Sequence, residues 1–146
     1  MKVSEVMSRD VRVASPQDSI SRAARVMVEI DAGSLPVGEN DRLIGVITDR
    51  DIAVRAVAKD KPPTTPVRDI MSAEVLYCYD DQDLEEVAQN MADERVRRLP
   101  VVSREKRLVG IISLGDLARN EDSATAGETV ADISKPGGEH SQTQAR

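Results

Sequence analysis

Two short segments place a hydroxyl and a carboxylate three residues apart: Thr48-Asp49-Arg50-Asp51 and Ser113-Leu114-Gly115-Asp116. At the start of a helix such a pair closes a capping box. The hydroxyl accepts the N–H of the third residue, and the carboxylate accepts the N–H of the first. A cap contributes about 1 kcal/mol and needs no ligand. Arg97 and Arg98 stand side by side. Their planar guanidinium groups either bind an anion bidentately or end a helix as solvated charge. Cys78 is the single cysteine, set between Tyr77 and Tyr79. With no internal disulfide available, a reducing, cytoplasmic setting is the expectation, and Cys78 reads as a small buried hydrophobe. Tyr77 and Tyr79 share one strand face, as core edge or as an aromatic wall. His140 is the single histidine. That excludes a Cys/His metal site in one chain and argues against a Ser-His-Asp triad. No paired acid/base constellation or Walker-type loop occurs, so no catalytic residues are assigned and an enzyme is not expected.

The elements that must position these groups occur twice. From Met7-Ser8 to Met71-Ser72 the offset is 64 residues, and it carries Val11 onto Val75, Ala24 onto Ala88, Met27 onto Met91, and Leu35-Pro36-Val37 onto Leu99-Pro100-Val101. One inserted residue near Lys106 then brings Leu43, Gly45, Ile47, Asp51 and Ala53 onto Leu108, Gly110, Ile112, Asp116 and Ala118. Two copies are too few for a solenoid and imply two similar halves about a pseudo-twofold axis. Each half reads as strand, helix, strand, strand, helix. Val11–Val13 and Val75–Tyr77 alternate like strands. Ile20, Ala23, Ala24 and Met27 recur at helical spacing, as do Leu84, Val87, Ala88 and Met91. Ser15-Pro16 and Asp80-Asp81 are the expected caps before these helices, and Gly33 the expected stop of the first. Leu35–Val37 and Leu43–Thr48 follow as strands around the turn Glu39-Asn40-Asp41, repeated at Leu99–Val102 and Leu108–Ser113. A second helix follows Thr48 through Ile52, Val54 and Val57, with a shorter one after Ser113. The fold class is therefore α/β, of the α+β kind, with tandem repeats at 1–60 and 61–120. Pro62, Pro63 and Pro66 make a stiff connector. Residues 121–146 form a polar, partly mobile tail, in which Val130–Ser134 echoes Val67–Met71.

Composition narrows the function. The chain has 146 residues, is 40% hydrophobic, and has two Tyr but no Trp or Phe, so its core must be aliphatic. A formal charge of −6 and the lack of a basic stripe oppose duplex nucleic acid, and the scarcity of aromatics opposes a single-strand stacking platform. No apolar run approaches the length of a membrane helix, and the N-terminus does not read as a signal peptide.

The repeated Val6-Met7-Ser8 and Ile70-Met71-Ser72, the Leu-Pro-Val strands, Gly45–Asp51 and Gly110–Asp116 together resemble the CBS domain pair, over about residues 1–120. The resemblance implies a non-enzymatic regulatory module that senses adenine nucleotides (AMP, ADP, ATP or NAD, or S-adenosylmethionine) in a cleft between the repeats. No cofactor is required; the nucleotide is a regulatory ligand. The resemblance also implies that Asp51 and Asp116 hold ribose hydroxyls. Thr48 and Ser113 then lie near ribose and phosphate, and Arg97 and Arg98, just before the Leu-Pro-Val strand, reach the phosphate. Because Gly33 and Ser34 replace the arginines in the first half, unequal sites are expected, with Arg98 serving the cleft of Thr48 and Asp51. Arg50 is expected to pair with a nearby Asp. The expected partners are a second copy, paired through helix residues such as Ile52, Val54 and Val57, and an unknown effector protein. The alternative is a ligand-free CBS-pair homodimer acting as a protein–protein adaptor.

Overall fold

Ser19 starts the first long helix, α2 (Ile20–Ile30), because its Oγ accepts the Arg22 N–H at 3.1 Å. Ile20, Ala23 and Met27 face inward at helical spacing. The matching α4 (Leu84–Glu94) begins after Asp83 and buries Leu84, Val87, Ala88, Met91 and Ala92. Asp83 makes no cap bond with its side chain, which pairs with Lys2 Nζ at 3.2 Å. The caps therefore lie later than the expected Ser15-Pro16 and Asp80-Asp81. Those residues belong to the turns leading in, where Ser15 N–H bonds the Asp18 carboxylate. Nor is Gly33 the helix stop. Asp31 (φ 52°) and Arg95 (φ 57°) take the left-handed conformation at equivalent ends. The structure is a computed structural model and describes residues 1–120 and 131–132. The tail assigned to 121–146, with its echo of Val67–Met71, falls outside the described residues apart from 131–132.

After α2, β1 (Ser34–Glu39) pairs antiparallel with β2 (Arg42–Thr48) through a tight turn, in which Asn40 and Asp41 both have positive φ. A short helix α3 (Asp49–Asp51) runs on into a π turn, Ile52–Ala56, and a 3-10 turn, Val57–Lys59. In the second repeat β3 (Cys78–Tyr79), β4 (Arg98–Val102) and β5 (Leu108–Ser113) form one sheet in that order, and α5 (Leu114–Asn120) follows. The strands expected at Val11–Val13 and Val75–Tyr77 are corrected. Pairing begins only at Ala14, a single parallel bridge to Val37, and at Cys78, paired parallel with Val101. Those two contacts are equivalent at the 64-residue offset. The preceding residues alternate in type but are extended lead-ins, and Val13 is exposed.

The arms that lead into the repeats have changed places. One compact unit comprises Met1–Val11, Leu76–Glu105 and the described residues from Val109; the other comprises Arg12–Val75 with Lys106–Leu108. In the first unit α1 (Val3–Val6) docks on the lead-in to α4. Val3 and Ser4 donate to the carbonyls of Gln82 and Asp80, and Leu84 N–H donates to Met1 O at 2.9 Å. In the second unit the proline segment is bound, not free-running. Ile20 N–H donates to Thr65 O at 2.9 Å, and Val67 and Arg68 donate to Asp18 and Pro16. Val3 and Met7 fill one aliphatic core, and Val67 and Ile70 fill the other. Units and sequence repeats at 1–60 and 61–120 thus differ by an exchange of arms.

Candidate functional site

The same frame is built twice, once in each unit. Where β2 passes into α3, Thr48 N–H donates to Asp51 Oδ2 at 2.9 Å, and Asp51 N–H donates to Thr48 Oγ1 at 3.0 Å. Where β5 passes into α5, Ser113 N–H donates to Asp116 Oδ2 at 2.9 Å, and Asp116 N–H donates to Ser113 Oγ at 3.2 Å. Both capping boxes are complete. A further matched bond ties each frame to its own sheet: Asp49 N–H to Gly33 O at 2.9 Å, and Leu114 N–H to Arg97 O at 2.8 Å.

Each carboxylate keeps one oxygen beyond its cap. The Asp51 side chain is 15% exposed, and its Oδ1 lies 3.9 Å from Arg55 Nε, at the outer limit of an ion pair. Arg55 also donates to Ile70 O at 3.2 Å. Asp116 is more fully engaged, because Arg119 donates directly to its Oδ1. Asp51 is thus the freer acceptor for a ligand hydroxyl. Arg55 and Arg119 add to the site residues expected from the sequence, and their i+4 and i+3 spacing from the acids is written in the chain. Arg50 makes no ion pair among the described residues, against the expectation that an Asp would hold it.

Arg97 and Arg98 lie exposed in the unit that contains Ser113 and Asp116, at the start of β4. Neither side chain is paired among the described residues. Thr48 and Asp51 belong to the other unit, where Gly33 and Ser34 hold the positions of the arginines. The first frame therefore carries Asp49, Arg50 and Asp51, and the second carries two arginines beside Leu114 and Gly115.

The tyrosines form an edge-to-face pair with ring centroids 5.7 Å apart. The Arg104 guanidinium lies 4.0 Å over the Tyr79 ring and forks onto Asp81 at 2.7 and 2.8 Å. That bond holds the Asp81 carboxyl below its usual range and raises Arg104. A guanidinium thus already lies on the Tyr79 ring. Cys78 is buried as expected. Burial, reinforced by the nearby Asp80 charge, pushes its thiol up to about 12. Among the described residues no helix is long and apolar enough to cross a membrane, and no acidic, His or Cys group is placed to hold a metal.

Comparison with known proteins agrees with this architecture. The family model described as CBS domain matches residues 3–57 and 67–122. The CBS domain-containing protein YhcV of Bacillus subtilis is 41% identical over 133 residues, covering 90% of this chain and 94% of that one. Hypoxic response protein 1 of Mycobacterium tuberculosis is 36% identical over 118 residues, covering 80% and 82%. The crystal structure of CBSX2 in complex with AMP is 29% identical, with a TM-score of 0.71, and covers 81% of this chain and 93% of that one. With two matched repeats spanning nearly all the described residues, the chain belongs to the CBS domain family, as a pair of CBS repeats.

Proposed function

We propose that this CBS-pair regulatory module senses adenine nucleotides, acting without catalysis as a homodimer in the cytoplasm. The observation that carries the reading is the doubled hydroxyl–carboxylate frame. Each frame fixes an aspartate by one oxygen in a cap, and a carboxylate held in this way offers its other oxygen to ribose hydroxyls. Asp51, with only the distant Arg55 on its second oxygen, is the better ribose acceptor. Thr48 and Ser113 flank the ribose, while Arg97 and Arg98, solvent-facing and unpaired among the described residues, take up phosphate. AMP binding by the structurally similar CBSX2 supports the same ligand class.

Thermal denaturation with adenosine, AMP, ATP and NAD tests this. A ligand at 100 times its Kd adds about 2.7 kcal/mol, a rise in Tm of roughly 5–10 °C for a chain of this size. Asp51→Ala should remove most of that rise. The complete capping boxes favour a second reading, since both aspartates already have a structural role without any ligand. In that reading the chain is a ligand-free homodimeric adaptor, and no adenine compound at millimolar concentration moves Tm.

A further inference from the structure

We propose that Met71 is a site of reversible oxidation, at which a peroxide converts the thioether to a sulfoxide and loosens the arm 67–72 from its seat on β2. Of the five methionines, Met7, Met27 and Met91 are buried, and Met1 is exposed without a place in either core. Met71 alone joins the two conditions: it is partly exposed, and it packs against the core of its unit, as Ile44 and Ile52 do. Its seat is made by glycine. A Cβ on Gly45 would lie 2.8 Å from Met71 Sδ and 3.4 Å from its Cε, so the sulfur fills the space that a side chain at 45 would take. Beside it Val46 N–H donates to Ser72 O and Ser72 N–H to Val46 O, both at 2.9 Å, which commits these two donors. A sulfoxide oxygen either crowds the closed seat or turns the sulfur outward to be hydrated, and both outcomes vacate the contact on Gly45.

The other unit holds the matched arrangement in a protected form. Met7 Sδ covers Gly110, and Ser8 and Ile111 are bonded reciprocally at 2.9 Å, but Met7 is only 8% exposed. The same chemistry there must wait for the arm to open. Cys78 does not compete for the oxidant, because it is buried and its thiol keeps its proton. The step is a two-electron oxidation. The thioether sulfur attacks one oxygen of hydrogen peroxide, the S–O bond forms as the O–O bond breaks, and the proton passes to the departing oxygen, which leaves as water. A thiol-driven sulfoxide reductase reverses it: two thiols are oxidised to a disulfide, and the sulfoxide oxygen leaves as water. No adenosine ligand is needed for either step. Oxidation thus weakens the unit that carries Thr48 and Asp51 and spares the unit that carries Ser113 and Asp116.

Dilute hydrogen peroxide tests this, with peptide mass spectrometry following each methionine and hydrogen exchange following the amides. Met1 and Met71 should oxidise about fivefold or more faster than Met7, Met27 and Met91. Once Met71 is converted, exchange at the Val46 and Ser72 amides should rise about tenfold, while the Ser8 and Ile111 amides stay within about twofold. Tm should fall by about 3–8 °C. Met71→Leu keeps an apolar side chain and still carries Met1, so the same treatment should change neither its exchange nor its Tm. Met71→Gln, polar without any oxidant, should show the faster exchange untreated. Sulfoxide reductase with dithiothreitol should return the oxidised wild type to its original exchange rates, a comparison that needs no variant to fold. Met71 staying reduced while Met7 or Met27 is oxidised overturns the proposal, as does unchanged Val46 and Ser72 exchange at full conversion of Met71. Exchange that stays fast after Met71 has been reduced again overturns its reversibility.

Discussion

Asp51 and Asp116 serve structure and ligand through different oxygens, so their removal has two separable effects. Loss of either cap should lower stability by about 1 kcal/mol, and denaturant unfolding of Asp51→Ala and Asp116→Ala checks this. Ligand loss should be unequal, with Asp51→Ala the more damaging for adenosine, because Arg119 already holds Asp116 Oδ1. Arg98 acts on a different part of the ligand. Its side chain is exposed, so a charge-assisted bond there contributes at the low end of the usual range. Arg98→Ala should weaken AMP about five- to tenfold and adenosine less than twofold by calorimetry; equal losses would assign Arg98 to the fold. Cys78 gives a pH signature. An unfolded thiol ionises above about pH 9, whereas the buried one keeps its proton to about 12. Between those values the folded state binds more protons, so stability falls as pH rises, by up to about 1.4 kcal/mol per unit. From pH 9 to 10.5 the wild type should therefore lose more stability than Cys78→Ala, and parallel losses would contradict the assignment. The candidate site was legible here to the extent that residue types reveal it. The hydroxyl–carboxylate spacing announced both caps, but the lack of an ion pair for Arg50 among the described residues and the unequal hold on Asp51 and Asp116 depend on where the backbone carries each group.

At the scale of elements, the helices and hairpin strands followed from periodicity because each buries one face. Ile20, Ala23 and Met27, or Leu84, Val87 and Met91, mark that face at helical spacing. Their ends were harder to read. Asp31 and Arg95 adopt a left-handed conformation that glycine would enter more readily, so residue type pointed to Gly33 instead. The lead-in strands failed for another reason: Val11-Arg12-Val13 alternates, but no partner strand lies alongside until Ala14. Two glycines do have a demanding role. A Cβ on Gly45 would lie 2.8 Å from both Met71 Sδ and Ser72 O, and one on Gly110 would lie 2.9 Å from Ser8 O. Backbone oxygens cannot swing aside, and Val46 and Ser72 are bonded reciprocally at 2.9 Å, as are Ser8 and Ile111. Gly45→Ala and Gly110→Ala should each destabilise by about 1–3 kcal/mol. A change in unfolding midpoint equivalent to less than 0.5 kcal/mol would mean that the arms shift without resistance.

The whole molecule depends on the exchange of those arms, and periodicity could not reveal it, because a repeat in sequence says nothing about which copy an arm completes. Two exposed apolar residues, Val54 at 46% and Val57 at 66%, sit on the turns after α3, while Ile52 packs on the core. Light scattering should give about 32 kDa, twice the 15.9 kDa chain, if this face pairs two copies; about 16 kDa at micromolar concentration would oppose it. A sharper consequence concerns cutting the chain between the repeats. Fragment 1–60 keeps α2 and the first hairpin but loses Val67 and Ile70, both fully buried in that core. Fragment 61–146 keeps α4 and its sheet but loses Val3 and Met7. Each buried aliphatic side chain contributes about 1.5–3 kcal/mol, so two of them supply about 3–6 kcal/mol. Hydrogen bonds such as Ile20 N–H to Thr65 O and Leu84 N–H to Met1 O are lost as well. Against a total stability of about 5–15 kcal/mol for a small domain, that loss is large enough to unfold either piece. Each fragment alone should therefore show no cooperative thermal transition, while an equimolar mixture, in which each supplies the other's arm, should recover one. Circular dichroism melts of the two fragments, separately and mixed, make the test. A cooperative transition in either isolated fragment would mean that its core closes without the exchanged arm.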